Sequence, residues 1–374
     1  MDDHHLAWLA LSELNLTFKQ SSELAQLYSL GSLILEHQHA EFVTALLNPK
    51  QRNQLHSLTR KPLTLTLTEQ LKWADNSGAQ LILYDDVEYP EALKSTHHPP
   101  AFLWCLGRIK LLNEPSIAMV GARKASSTAM DTAKQFAGSL ANSGLTIVSG
   151  LALGIDGACH QGTLDVQGDT IAVLGAGLGQ IYPQRHQALA QRIVQGGGLL
   201  ISPWPLFAKP LAYRFPARNR IISGLSLGVL VVEAALRSGS LITAKAAMEQ
   251  GREVFAIPSS IHNIHAQGCH QLIRDGAILV DQPQQIVAEL ALQLQPFLEQ
   301  YPPSHLEHSN VTADVGNLAE ELQHLLRLFS YDPVPIDILC VQSAKPYSVV
   351  AAQLVELELL GHVRVTSGGY EKVF

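Results

Sequence analysis

Several common protein classes are excluded by what this chain lacks. Its cysteines, Cys105, Cys159, Cys269 and Cys340, are scattered with no C-x-x-C pair. That excludes a disulfide framework and fits a reducing compartment. No apolar run approaches the ~20 residues of a membrane helix. The first residues, Met1-Asp2-Asp3-His4-His5, are acidic and polar, unlike a signal peptide. A cytoplasmic protein with no membrane partner is therefore expected. No Gly-Lys-Ser or Gly-Lys-Thr occurs, so there is no Walker loop. Gly175-Ala176-Gly177-Leu178-Gly179 departs from the dinucleotide fingerprint and has no acidic ribose partner in a recognisable position, which argues against a redox NAD site. No cofactor is expected. Charged residues make up only 16% of the chain and its net charge is −7, so it is not built to coat duplex DNA, and any nucleic-acid site must be a local patch.

Such a patch is present. Between Lys209 and Arg252 the chain turns basic: Arg214, Arg218, Arg220, Arg237 and Lys245 lie between those two cations, against Glu233 and Glu249 alone. Within it, Arg214-Phe215-Pro216-Ala217-Arg218-Asn219-Arg220 runs into an apolar stretch, and Ser238-Gly239-Ser240 precedes a helix. Guanidinium groups and helix-start N–H groups answer phosphates, and an aromatic ring answers a base. Together they suggest a polyanion with unpaired bases. The competing reading is a solvated basic face with Phe215 in the core.

At 374 residues and 47% hydrophobic content the chain can fill one sizeable α/β domain and one or two small ones. Residues 1–75 read as short helices, with Leu6, Leu9, Ala10 and Leu14 and then Leu24, Leu27 and Leu30 at helical spacing. Nine short apolar runs follow, from Leu81–Tyr84 to Ile278–Val280, each ending in small or turn-forming residues and most separated by helical segments. Near-continuous apolar strands alternating with helices predict a parallel sheet covered on both faces, over residues 80–290. A linker is expected over 291–316. Residues 317–374 read as helix, turn, helix, further helix and a two-stranded wing. The third helix carries Glu356 and Glu358 but no Lys or Arg. That suits protein contact or stabilisation better than DNA reading.

Four strands end in turns of small residues: Gly121-Ala122-Arg123-Lys124, the run from Ser149-Gly150 to Asp156, Gly175-Ala176-Gly177, and Glu233-Ala234 with Ser238-Gly239-Ser240 beyond. In a parallel sheet all of them open on the carboxyl edge, where helix N-termini present free N–H groups.

These motifs closely resemble the DprA/Smf family. So do Phe215-Pro216-Ala217-Arg218-Asn219-Arg220-Ile221-Ile222-Ser223-Gly224-Leu225, the run from Val231 through Ser238-Gly239-Ser240 to Ala244, and Gly268-Cys269-His270-Gln271-Leu272-Ile273-Arg274-Asp275-Gly276-Ala277. The resemblance covers roughly 80–290 and extends more loosely to both flanks. It implies an α/β protein with an extended Rossmann-like parallel sheet, a small N-terminal helical domain and a C-terminal winged helix. The implied activity is binding of single-stranded DNA, protection of incoming DNA and loading of RecA in natural transformation, by a homodimer with no catalytic step. Carried over by residue, Gly121, Arg123 and Lys124 meet phosphate, and Ser149, Gly150, Gly239 and Ser240 offer donors. Arg218 and Arg220 line the pocket, Asn219 fixes a turn, Phe215 stacks on a base and Arg214 stands beside it. His270, Ile273 and Leu279 form the dimer face. The family's Gly-Ile-Gly hairpin is absent at Leu14-Asn15-Leu16, which weakens the case for DNA contact by residues 1–75.

The main rival is a nucleotide enzyme that cleaves an N-glycosidic bond. It would need Asp156 and Glu233 for acid–base work, whereas their plainer roles are to pin helix starts or hold an arginine. A second rival is a metal site at His262, His265, Cys269 and His270, which lack standard zinc spacing.

Overall fold

The computed structural model describes residues 3–27, 31–60, 65–300, 320–329, 334–343, 345–360, 362–366 and 369–372. The nine apolar runs form β1 (Gln80–Leu83), β2 (Phe102–Gly107), β3 (Ser116–Val120), β4 (Thr146–Ser149), β5 (Thr170–Val173), β6 (Leu199–Ser202), β7 (Gly228–Val231), β8 (Glu253–Ala256) and β9 (Ile278–Leu279). They make one nine-stranded sheet in the order β1-β2-β6-β5-β4-β3-β7-β8-β9. From β6 to β9 the pairing is parallel. Strands β1 and β2 extend the sheet antiparallel beyond β6.

Strands β3 to β7 are buried along their full length. This is why they read as continuous rather than alternating apolar runs. One face is packed by helices Ser127–Asn142 and Ile155–Asp165, whose Phe136, Leu140 and Ile155 meet Ile117, Met119 and Ile147 in one cluster. The other takes Ile221, Ile222 and Leu225 of the helix Arg214–Leu225 against Ala118, Val120 and Val148. The strand order reverses between β3 and β7. Open sheets of this kind place ligands at such a reversal, outside the carboxyl ends of the strands.

Residues 1–300 form one compact unit. The N-terminal helices, from Asp3–Ser12 to Leu65–Ser77, share a core with the antiparallel end of the sheet. Trp8, Leu9, Leu11, Leu14 and Leu24 join Leu81, Leu83, Trp104 and Leu206 in that cluster. Packing therefore continues across residues 75–80. The span 291–316 begins as a helix, Ala291–Gln300, and 301–319 lie outside the described residues. The expected Leu30 also lies outside them.

The second unit, described by itself, has helices Glu320–Arg327, Ile336–Ser343 and Tyr347–Leu359 and a hairpin of β10 (Val363–Thr366) and β11 (Gly369–Lys372). Val334 pairs with Tyr370 as a bridge beside the hairpin. Leu322, Leu326, Leu339, Val350, Leu354 and Val363 fill its core, and this is a winged helix. Ala352, Val355, Glu356 and Glu358 are exposed on its third helix. Among the described residues no helix is long and apolar enough to cross a membrane.

Leu11 is fully buried in the core shared by helices and sheet. Leu11→Ala is expected to lower the stability of the 1–300 unit by about 2–5 kcal/mol, read as an earlier midpoint in urea denaturation. An unchanged midpoint would show that the helical layer does not support the sheet.

Candidate functional site

At the end of β3 the chain must turn sharply under its neighbours. A Cβ on Gly121 would lie 2.5 Å from Ile155 Cγ1. The Ala122 N–H donates to the Glu233 carbonyl at 2.8 Å, and the Ile155 N–H to the Ala122 carbonyl at 3.2 Å. Gly154 has φ +78°, and a Cβ there would meet the Ala122 carbonyl oxygen at 2.2 Å. The turns after β3, β4 and β7 thus lock together through backbone contacts that only small residues permit. The Glu233 carboxylate accepts the Ser126 N–H at 3.0 Å and the Ser126 hydroxyl at 2.7 Å. Ser126 Oγ accepts the Ala129 N–H at 3.2 Å, which caps the helix Ser127–Asn142.

Arg218 occupies the space left by Gly150. A Cβ on Gly150 would fall 1.3 Å from its Nη1, so no larger residue fits while the guanidinium stays in place. The arginine is 3% exposed and stands 3.9 Å from Asp156 Oδ2. Asp156 Oδ2 also accepts the Ala152 N–H at 3.3 Å. Burial pushes the guanidinium down to about 10, with Asp156 opposing and Arg123 adding to the fall, so it remains a cation at neutral pH. Burial raises Asp156 above the usual carboxylate range, against the pull of Arg218 and the N–H groups of Ala152 and Gly150. The Arg218 Nε–H has no partner among the described residues. A buried cation with one distant carboxylate and an unused donor is still short of hydrogen-bond acceptors, and an incoming anion supplies them.

Phe215 lies over the third glycine turn, where a Cβ on Gly175 would come 2.8 Å from its ring. The Arg123 guanidinium sits 5.4 Å from the Phe215 ring centroid, within cation–π range. The Tyr182 ring is 5.7 Å away on another side. Arg123, Phe215, Arg218, Gly121 and Gly150 are thereby brought to one edge of the sheet, with Lys124 exposed beside Arg123. Tyr182 was not among the residues expected here. The Tyr182-Pro183 pair in a loop just past a glycine turn was its only sequence signal.

Other expected residues are used differently. The segment around Asn219 is helix, not a turn, and the Asn219 amide donates to the Gly239 carbonyl at 3.4 Å. The motif runs as two adjacent i, i+3 rows: Phe215 and Arg218 meet the glycine turns, and Arg214, Ala217 and Arg220 form the row beside them. Arg214 is buried. It donates to the Lys209 carbonyl at 2.7 Å and lies 4.9 Å from the Trp204 ring, away from Phe215. Arg220 forms an ion pair with Glu249 at 2.7 Å. The Ser149 hydroxyl donates inward to the Met119 carbonyl at 2.6 Å, so it offers nothing to a ligand. Ser240 Oγ is engaged with Ser238 Oγ at 2.6 Å, while Gly239 is exposed at the start of the helix Ser240–Glu249.

Of the expected dimer residues, Leu279 is 49% exposed on the edge strand β9. Ile273 is half-buried, and His270 Nε2 lies 2.9 Å from the Ser259 carbonyl. Cys269 is buried against the Val231 carbonyl and its thiol is pushed up to about 12 by burial, whereas His262 and His265 are exposed. The four do not converge. Among the described residues no group of three or more His, Cys, Asp or Glu could hold a metal ion.

Fold and site together define a Rossmann-like protein with cations and backbone turns gathered at the carboxyl edge of its sheet, where open sheets of this kind bind ligands. The chain belongs to the DNA recombination-mediator protein A family, DprA/Smf, whose model matches residues 80–291; the DprA winged helix domain matches 312–369. It is 42% identical to Protein Smf of Escherichia coli (strain K12) over 324 residues, which cover 87% of this chain and 84% of that protein. It is 45% identical over 201 residues to DNA processing protein DprA of Streptococcus pneumoniae, covering 54% of this chain and 71% of that one. The X-ray structure of DNA processing protein A from Streptococcus pneumoniae matches with a TM-score of 0.67 at 35% identity, over 77% of this chain and 99% of that one. DNA processing protein A from Helicobacter pylori, studied for its single-stranded DNA binding mode, matches with a TM-score of 0.52 at 30% identity, over 57% of this chain and 97% of that one.

Asp156→Ala leaves the Arg218 charge buried and is expected to cost about 3–5 kcal/mol in thermal unfolding. The double variant Asp156→Ala/Arg218→Met should recover most of that loss. Equal losses in single and double variants would show that the pair is not coupled.

Proposed function

We propose that this chain is a single-stranded DNA-binding protein acting in recombination, and that the strand lies along the glycine-turn edge of the sheet. The observation that carries this reading is the pairing of Arg218, a buried cation short of acceptors, with Phe215, an aromatic ring flanked by Arg123. Phosphates take the two arginines and the turn N–H groups. A base takes the ring, which stacks equally well on any sequence. Duplex DNA keeps its bases paired inside, so the ring confers a preference for single strands. The single-stranded DNA binding reported for the Helicobacter pylori relative supports the same reading.

The protein works as a carrier without a catalytic step. This reading is supported by Ser126, which engages both Glu233 oxygens, and by the burial of Asp156 beside Arg218. The carrier protects incoming DNA and helps load RecA during natural transformation. It acts as a homodimer through the face of His270, Ile273 and Leu279, so that two pockets hold one strand with gained avidity. The winged helix, with no cation on its third helix, serves protein contact.

The test is fluorescence-anisotropy titration of a labelled oligothymidylate across salt, with duplex competitors. Arg123→Ala and Arg218→Ala should weaken binding to every sequence and each lower the salt slope by about 0.7, the value for one single-strand phosphate contact. Phe215→Ala should lose about 1–3 kcal/mol of affinity and much of the preference over duplex. Unchanged affinity in both arginine variants would remove the strand from this edge. Leu279→Lys should convert the dimer to monomer in light scattering, and a persistent dimer mass would place the interface elsewhere.

A further inference from the structure

The row Arg214, Ala217 and Arg220 of the motif helix borders a cavity of about 520 Å³ that the strand reading does not use. It lies between this helix, the N-terminal helices and the loop after β6, and opens to solvent. Its walls are aromatic: Trp8, Phe18, Trp204 and Tyr213 all line it. Phe18 and Trp204 stack on each other at 5.1 Å with an interplanar angle of 18°, and the Arg214 guanidinium lies 4.9 Å from the Trp204 ring. Lys19, Arg214 and Arg220 also line it, against Glu249 as the carboxylate. Glu249 is paired with Arg220 at 2.7 Å, and Lys19 lies 3.9 Å from Glu23, which leaves Arg214 as the lining cation with no carboxylate partner among the described residues.

Two buried donors in this wall have no acceptor among the described residues: the Trp204 indole Nε1–H and the Arg214 Nε–H. Each belongs to a side chain more than nine-tenths buried, at 8% and 4% exposure. Buried donors are costly to leave unpaired, and both side chains line this cavity although the two donor atoms themselves are shielded from it. A ligand that turns either donor toward the cavity must bring acceptor atoms. To match the rest of the wall it must also bring a flat π face and negative charge. The volume falls in the range of small-molecule sites.

We propose that this cavity is a second binding site, taking a nucleoside monophosphate. The base inserts among Trp8, Phe18 and Trp204, and the phosphate turns to Lys19, Arg214 and Arg220. The nucleotide is either free or one residue of a bound strand. The site stands whether or not the glycine-turn edge holds DNA, because it rests on a different row of the helix and on the N-terminal layer.

Isothermal titration calorimetry of the full chain with dAMP tests this. The native protein should bind one equivalent per chain. Ala217→Leu, which narrows the cavity without altering Phe215 or Arg218, should weaken dAMP at least about tenfold, a loss of 1.4 kcal/mol or more, with oligothymidylate affinity kept if the occupant is a free nucleotide and lowered with it if the occupant is a strand nucleotide. Arg220→Gln, on a half-exposed side chain, should weaken it several-fold and serves if Ala217→Leu perturbs folding. Phe215→Ala should leave dAMP binding intact. In that variant, displacement of dAMP by oligothymidylate identifies a strand nucleotide as the occupant, and failure to displace it identifies a free nucleotide; both support the site. Absence of dAMP binding would overturn the proposal. So would binding lost in Phe215→Ala but retained in Ala217→Leu and Arg220→Gln, which would return the nucleotide to the glycine-turn edge.

Discussion

The burial of Arg218 in the notch left by Gly150 is the constraint on which the site depends. A guanidinium taken out of water must be answered by charge and acceptors, and Asp156 at 3.9 Å is the one carboxylate paired with it. Asp156 is in turn held by the Ala152 N–H, so the loop after β4 is shaped around the ion pair. That loop then packs under the turn after β3, and the turn after β3 is tied to the backbone after β7. Three strand ends are therefore held in one arrangement, centred on a cation whose hydrogen-bonding capacity is not filled among the described residues.

The helix Arg214–Leu225 gives this arrangement its second property. Its apolar residues Ile221, Ile222 and Leu225 anchor it on the sheet, and its first two turns extend past the strand ends. A spacing of three residues sends Phe215 and Arg218 to the glycine turns and Arg214, Ala217 and Arg220 to the aromatic cavity. One rigid element thus positions cations in two chemically distinct places. Elements of secondary structure hold such groups more accurately than loops do. The N-terminal helices complete the second place, and their continuous core with β1 and β2 keeps its wall in position.

Much of the fold was legible because parallel strands buried on both faces must be apolar throughout, as Ser116–Val120 and Gly228–Val231 are. The glycine turns were legible for a related reason. Close backbone approach at Gly121 and Gly154 tolerates nothing larger, so the residue type reports the geometry. The motif helix was harder to read. Pro216 near its start and the run of arginines obscure its apolar face, although proline in a first turn is compatible with a helix. Arg214 and Arg220 stand in one motif with Arg218 but make different contacts, and the residue type of Asn219 favours a turn where the chain is helical. Tyr182 and Trp204 lie in loops, where no periodicity marks a side chain. The pairing of Asp156 with Arg218 joins residues far apart in the chain, and only the assembled sheet brings them together.

The measurement that reaches the central claim most directly is photochemical crosslinking of a 5-iododeoxyuridine oligonucleotide to the protein, with the attachment sites mapped by mass spectrometry. A strand on the carboxyl edge of the sheet places its bases against Phe215 and Tyr182, so adducts are predicted on the peptides carrying those two rings. Adducts confined to the winged helix, or to surfaces remote from the turns at Gly121, Gly150 and Gly175, would contradict the account.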